Sequence, residues 1–355
     1  MLSRTLLLFL IGLFGLLPLH AATFCVNTTG GLAAALSTAS TNAQDNVIKV
    51  QSGVYFTPGS GFKYQRVNGD YDLDIEGSWN VGCTAQSKDA GDTVLDGQSD
   101  HAVLGTSVFN GPGAVTVRYF TLIHGAGHQN GGSAFYAVMS DGELRVENCQ
   151  MLLNTTDVVD SGYQGDVVVY LYTSTGAVYF RNNVVTGNIV PKNDTVISIE
   201  IFNLVKTFVP VVFTGNTIAD NFYATDTNDP ALLTVSPLGI YKLSNNILWN
   251  NGPVFRTNNH VHPLLLNNDI DQVNAEPDPD SLGNLNVDPQ FINPFNYRLR
   301  ETSPLFNRGN TLPPGGNAAV DMDGNPRFLF GAIDIGAYEE QVYPDKIFIS
   351  SFEND

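Results

Sequence analysis

Five stretches of the chain share one local pattern, and a repeat of this kind leaves few folds open. They are Val117-Arg-Tyr-Phe-Thr-Leu122, Val146-Glu-Asn-Cys-Gln-Met151, Phe180-Arg-Asn-Asn-Val-Val185, Phe213-Thr-Gly-Asn-Thr-Ile218 and Leu243-Ser-Asn-Asn-Ile-Leu248, with a weaker sixth copy at Leu265-Leu-Asn-Asn-Asp-Ile270. Each opens on an apolar residue, takes a short polar step and returns to an apolar residue five positions later. From the second copy to the fifth an Asn stands three residues further on, at Asn154, Asn188, Asn221 and Asn251. The opening residues are separated by 29, 34, 33 and 30 positions (146−117, 180−146, 213−180, 243−213). A period in this range marks a solenoid or array, in which each unit stacks on the next.

Helical repeats of this length carry long Leu/Ala-rich helices, and these units carry none. They are short β-branched and aromatic runs cut by Gly, Asn and Asp, which read as strands and turns. Each unit has room for about three strands of roughly five residues, one coil of a parallel β-helix. The recurrent Asn fits, because Asn tolerates the left-handed backbone of tight turns. In coils stacked about 4.8 Å apart its amide recurs above itself and can hydrogen-bond along the stack. Inward positions fall to Val, Ile, Leu and Phe. A β-sandwich with coincidental spacing would account for the period but not for the shared pattern.

The first 22 residues read as an export leader: Arg4, an apolar run from Leu6 to Leu17, then Pro18-Leu-His-Ala-Ala22 with cleavage after Ala21 or Ala22. Cys25 is not read as a lipid-attachment cysteine, since Phe24 precedes it where a small residue is needed. No other stretch is long and apolar enough to span a membrane as a helix. The formal charge of −18 becomes −19 once Arg4 is removed, which speaks against nucleic acid as a partner. It suits a solvated acidic surface, or one that binds cations. Of three cysteines, Cys25 and Cys83 share the N-terminal region and are expected to pair after export. Cys149 lies inside a repeat at an inward position and is expected to be a buried free thiol. The segment Gly31-Leu-Ala-Ala-Ala-Leu-Ser-Thr-Ala39 has helical spacing and is the natural cap for an open solenoid end. Val47-Ile-Lys-Val50 with Gly53-Val-Tyr55 reads as the first strand.

The order of leader, capping helix, Val47-Ile-Lys-Val-Gln-Ser-Gly-Val-Tyr55, Thr93-Val-Leu-Asp-Gly97 and Asn-rich coils resembles bacterial right-handed parallel β-helix proteins of the pectin-lyase-like fold. The C-terminal part is more specific. Gly283-Asn-Leu-Asn-Val-Asp-Pro-Gln-Phe291, Tyr297-Arg-Leu299, Ser303-Pro-Leu305, Asp321-Met-Asp-Gly-Asn-Pro-Arg327 and Asp334-Ile-Gly-Ala-Tyr-Glu339 resemble the choice-of-anchor Q region of secreted bacterial proteins. That resemblance implies a region that closes the β-helix and precedes a sorting tail. Ile347-Phe-Ile-Ser-Ser-Phe-Glu353 resembles the Ile-Phe-x-x-Gly-Phe-Glu endings of some proteobacterial secreted proteins, with Ser351 in the usual Gly position. The implied organisation is leader 1–22, capped β-helix 23–275, closing region 276–340 and tail 341–355. Fold and export follow from the resemblance; a reaction does not.

β-Helix enzymes on acidic polysaccharides need a cation or Arg for the uronate and a base for the C5 proton, whereas hydrolases need paired carboxylates. One charged column meets part of this: Arg118, Glu147 and Arg181 recur at one position in three consecutive copies. They should stack on an outer face, as a substrate ladder or as an ion-pair ladder contributing about 0–1 kcal/mol per pair. Acids crowd the next stretch, at Asp141, Glu143, Glu147, Asp157, Asp160 and Asp166, as oxygen ligands for Ca²⁺ or as solvated turns. His124 and His128 flank Gly125-Ala-Gly127 without the partner motifs of a polygalacturonase, and His260 and His262 lack a third metal ligand. Asp321-x-Asp-Gly-Asn325 begins like a calcium loop, but Ala332 stands where the closing Glu belongs, so a tight turn is the reading. Tyr163, Tyr170, Tyr172, Phe222, Tyr223 and Trp249 are the aromatics that could stack on sugars.

The expectation is therefore a single-stranded right-handed parallel β-helix with a helical cap, exported to the cell surface or beyond, monomeric and without an obligate cofactor. Its leading functional reading is non-catalytic binding of a polysaccharide or another surface component. A lyase or hydrolase on acidic glycans would draw on Arg118, Glu147, Arg181, Asp157 and Asp160. A purely structural or adhesin role is the third reading.

Overall fold

The computed structural model describes residues 21–127, 131–156, 166–190, 195–201, 208–223, 231–236, 238–255, 261–329 and 331–341. The leader to His20, His128, Asp157, Asp160, Tyr163, His260 and the tail from Val342 lie outside the described residues.

The chain is nearly all β, and it circulates. One turn of it runs Glu143–Glu147, Gln150–Leu152, Thr155–Thr156 and Asp166–Thr173; the next runs Ala177–Arg181, Val184–Thr186, Ile189–Val190 and Thr195–Ile201. Each strand pairs in parallel with its counterpart one coil away, as in Val146 with Phe180, Met151 with Val185 and Leu171 with Ile199. The result is three long parallel sheets of nine, eight and six strands, with a narrow fourth of four two-residue strands. This solenoid-like stacking excludes an antiparallel sandwich. Among the paired strands of the described residues, the sole antiparallel pair is the hairpin Phe291–Asn293 with Asn296–Leu299. The coil departs from three equal strands: the third strand reaches eight residues, and a fourth, short one is added before it.

The repeat positions explain the core. The first apolar residue of each copy (Val117, Val146, Phe180, Phe213, Leu243, Leu265) and the second (Leu122, Met151, Val185, Ile218, Leu248, Ile270) are all buried. Period-two strands put these inward and their neighbours outward. Each side chain so buried contributes about 1.5–3 kcal/mol. Phe180 and Phe213, one coil apart, pack with tilted rings whose centres are 5.1 Å apart.

The Asn residues divide two tasks. The left-handed corner after each of four successive strands of the eight-stranded sheet falls to Leu153, Gly187, Asp220 and Asn250, with φ of 53, 66, 51 and 54°. The recurrent Asn154, Asn188, Asn221 and Asn251 are the residues that follow. They point inward, and each Nδ2 donates to the Oδ1 of the next at 2.8–2.9 Å. A longer ladder runs through Asn183, Asn216, Asn246, Asn268 and Asn284 at the preceding corner. Its left-handed residues include Asn148, Asn182, Gly215 and Asn245. Cys149 occupies the ladder position one coil earlier, where its backbone N–H donates to Asn183 Oδ1 at 2.9 Å. Its thiol is free and fully buried, and burial pushes its pKa up to about 12, as befits a packing residue.

At the N-terminal end the helix spans Thr29–Ala39, with Thr28 accepting from Gly31 N–H as its cap. It buries Leu32, Ala35, Leu36 and Ala39 in the same core as the first coils. The first strand is Ala22–Val26, ahead of the helix, and it pairs with Asn46–Gln51. The reading that began the strands at Val47 missed it, because five residues between leader and helix carry too little pattern to be seen. Cys25 and Cys83 form the disulfide, with Cα atoms 5.9 Å apart. No helix among the described residues is long and apolar enough to cross a membrane, which says nothing of β-barrels.

Beyond Leu264–Leu266 and Asp269–Ile270 the stack continues as single bridges at Leu282 and Leu285. Residues 288–340 then turn back along the side of the solenoid, over the outward face of the eight-stranded sheet. Asn148 Nδ2 donates to the carbonyl of Asp321 at 2.8 Å, Ala337 N–H to Thr217 Oγ1 at 2.9 Å and Asn245 Nδ2 to the carbonyl of Asn310 at 2.8 Å. Val184, Ala219, Met322 and Ala337 are buried together beneath this strap. The closing motif is its knot. Asp321 accepts backbone N–H groups from Asp323, Asn325 and Glu339, while Asp334 accepts from Asn307 and Glu340. Asp321-Met-Asp-Gly-Asn325 is thus a turn, with Gly324 at φ 81°.

Candidate functional site

The charged column is real and it is occupied. In the nine-stranded sheet Lys49, Glu76, Arg118, Glu147 and Arg181 lie in register on successive coils, alternating in sign. Arg118 Nε donates to Glu76 at 3.0 Å and lies 3.7 Å from Asp74; Arg181 Nη1 donates to Glu147 at 3.0 Å. Lys49 stands 3.9 Å over the Trp79 ring, and Arg181 4.4 Å over Tyr179. The column thus holds two ion pairs, Glu76 with Arg118 and Glu147 with Arg181, while Lys49 packs on Trp79, the arrangement of an ion-pair ladder. Glu76 and Lys49 escaped the sequence pattern because the first coils depart from the period in both directions, with Lys49 lying 27 positions before Glu76 (76−49) and Glu76 42 positions before Arg118.

The remaining candidates do not converge. His124 Nδ1 lies 3.2 Å from Asp96, and His262 is exposed, 3.2 Å from the carbonyl of Glu276. Asp141 accepts from the backbone of Gly142, and Glu143 pairs with Arg145. Among the described residues no group of three or more His, Cys, Asp or Glu is placed to hold a metal ion.

What the fold does build is a groove of about 1130 Å³ where the strap stands away from the coils. Its floor is the outward side of successive coils, with Leu152, Thr186 and Trp249 from the eight-stranded sheet and Ile189 and Phe222 beyond the corner. Gly187 supplies the corner between two of these; its φ of 66° suits glycine, and a Cβ there would sit 3.0 Å from Leu153. The opposite wall is the hairpin, with Phe291, Phe295 and Tyr297. Phe222 is 56 % and Phe295 92 % exposed, so apolar rings face solvent from both walls.

Tyr297 rivets the hairpin to the floor. Its hydroxyl donates to Asp220 Oδ2 at 3.0 Å and accepts from Thr186, and its ring meets Phe291 edge-on at 5.0 Å. Burial and the Asp220 carboxylate push its pKa up to about 12, so it stays a neutral donor. Asp220 is held in turn by Asn250 Nδ2 at 2.6 Å. Beside this pair the groove offers Asp288, Gln150, Gln290, Asn293 and Arg300. A long apolar trough with aromatic faces and a few polar groups can grip a flat-faced, hydroxyl-bearing ligand. Of the six aromatics singled out from sequence, Phe222 and Trp249 line it. Tyr170 lies on another sheet, stacked on Tyr136 and bonded to Glu200. Asp220 and Tyr297, 77 residues apart, carried no sequence signal. No protein-family model, curated protein sequence or solved structure matches the chain.

Proposed function

We propose that this is an exported or cell-surface protein, a right-handed parallel β-helix of the pectin-lyase-like kind with a choice-of-anchor Q type closing region, which binds a glycan without transforming it. The observation that carries the reading is the groove: exposed Phe222 and Phe295 face one trough with Trp249 at its floor. An exposed apolar trough of this kind on a protein surface marks a binding site. The disulfide and the leader-like start support export. The ion pairs of Arg118 with Glu76 and of Arg181 with Glu147 support a scaffold role for those residues.

The test is retention on immobilised polysaccharides, with and without Ca²⁺, alongside a reducing-end assay on the same panel. Retention that falls in Phe222→Ser and Trp249→Ala, with no new reducing ends, is the expected result. Release of reducing ends that disappears in Arg118→Ala or Arg181→Ala would place catalysis on the coil face and overturn the reading.

A further inference from the structure

We infer that the groove takes an uncharged oligosaccharide and discriminates against uronate-bearing chains; the inference rests on the glycan-binding reading above. Two observations carry it, length and charge.

The floor is built from four successive coils, from Leu152 through Thr186 and Asp220 to Trp249. Three coil spacings of about 4.8 Å make a track of about 14 Å. That length suits several linked sugars better than one. Two rings, Phe222 and Trp249, come from neighbouring coils of this track, and Phe291 and Phe295 stand on the opposite wall.

The charges run against an acidic chain. The lining holds two carboxylates, Asp220 and Asp288, and among the described lining residues one cation, Arg300. Arg300 already donates to the carbonyl of Ile292 at 3.0 Å. The cationic ladder that could neutralise a row of uronates lies on a different sheet and is spent on Glu76 and Glu147. A polyuronate carries a negative charge on every sugar, so docking it here would desolvate several anions beside two more, in a chain of net charge −18. Gln150, Gln290 and Asn293, by contrast, both donate and accept, as hydroxyl groups require.

The experiment compares length-matched neutral and uronate-bearing oligosaccharides on one array, using the full mature protein. Neutral chains should be retained about tenfold or more above uronate chains, and Phe222→Ser should lower that binding about tenfold or more. Trp249→Ala should do the same, but Trp249 also packs against the strap, so the exposed Phe222 is the decisive position. Asp288→Lys should raise the ratio of uronate to neutral binding, and a ratio that does not move would count against the charge inference. Uronate binding that depends on Phe222 would overturn the charge inference and leave the glycan reading standing. Retention of no glycan in a Phe222-dependent way would overturn both.

Discussion

Asn216 sits at mid-ladder, and the effect of removing it can be worked from four hydrogen bonds. Its Oδ1 accepts from the backbone N–H of Asn183 at 2.9 Å and from Asn183 Nδ2 at 3.2 Å. Its Nδ2 donates to the Phe180 carbonyl and to Asn246 Oδ1, each at 2.8 Å. Asn216→Ala strips all four. Asn183 Nδ2 keeps the Val146 carbonyl at 2.9 Å, but the Asn183 backbone N–H loses its acceptor and the Phe180 carbonyl loses this donor. The position is 0 % exposed, so bulk water does not replace them. At about 1–3 kcal/mol per buried group left unpaired, the two groups give a loss of about 2–6 kcal/mol. Asn284 makes matching bonds at the last rung, to Asn268 at 3.0 Å and the Leu265 carbonyl at 2.8 Å, but it is exposed. Water substitutes there, and Asn284→Ala should lose only about 1 kcal/mol. Urea unfolding of both variants, followed by tryptophan emission and far-ultraviolet circular dichroism, reads the difference as a shift in midpoint at constant slope. Equal losses at the two rungs would refute the argument that burial gives the ladder its energy.

Asp269 is fully buried, with Oδ1 accepting from Val287 N–H at 3.0 Å and Oδ2 unpartnered, and burial raises its carboxyl from 3.8 to about 6. The folded state therefore holds a proton that the unfolded state releases, so this group's contribution is full below pH 4 and is lost as pH rises through 6. That loss is of order 3 kcal/mol, and Asp269→Asn should recover part of it at pH 8 and nothing at pH 4, read from thermal midpoints at the two pH values. Cys25→Ser with Cys83→Ser opens a bridge of 58 residues' separation and should destabilise by up to about 4 kcal/mol, measured against the oxidised parent under non-reducing conditions. Gly336 has φ 105°, and a Cβ there would stand 2.6 Å from Ile247 and 2.9 Å from Thr217 Oγ1. Gly336→Ala should therefore lift the strap and expose 288–340 to limited proteolysis while far-ultraviolet circular dichroism stays near that of the parent.

The coils were legible because each repeats one physical decision. Val146 and Phe180 are apolar for the same reason, and Asn188 and Asn221 satisfy the same backbone groups one rung apart, so the pattern accumulates over copies. The ion ladder was half legible: Arg118, Glu147 and Arg181 shared the period, while Glu76 and Lys49 sat in coils of different length. The corner chemistry was read onto the wrong neighbour. Left-handed backbone and amide stacking both favour Asn, and sequence alone does not separate Asp220 from Asn221. Of the groove only two aromatics, Phe222 and Trp249, were legible, and as single residues rather than as a site. Its floor residues occur as ordinary outward positions, and its other wall arrives from the hairpin at 291–299, with no local pattern joining the two.

The strap's course gives the groove its meaning. The outward face of the eight-stranded sheet is partly apolar where such a face would ordinarily be polar, with Val184, Ala219 and Ile247 nearly inaccessible beneath the strap. Covering that face removes a patch that would otherwise invite association. The cover is tight at Gly336 against Ile247 and where Met322 and Ala219 share one buried cluster, yet it stands off at the hairpin, where Leu152, Phe222 and Trp249 stay within reach of solvent. A looser closure would follow if the hairpin were merely unanchored, but Tyr297 ties it to Asp220 and Thr186 on the coil floor. The hairpin is thus tied across the groove by polar bonds of Tyr297 to Asp220 and Thr186, while Phe222 and Phe295 remain exposed. Under the proposed glycan-binding reading, preorganised walls of this kind would lower the ordering cost of gripping a flexible chain through weak contacts.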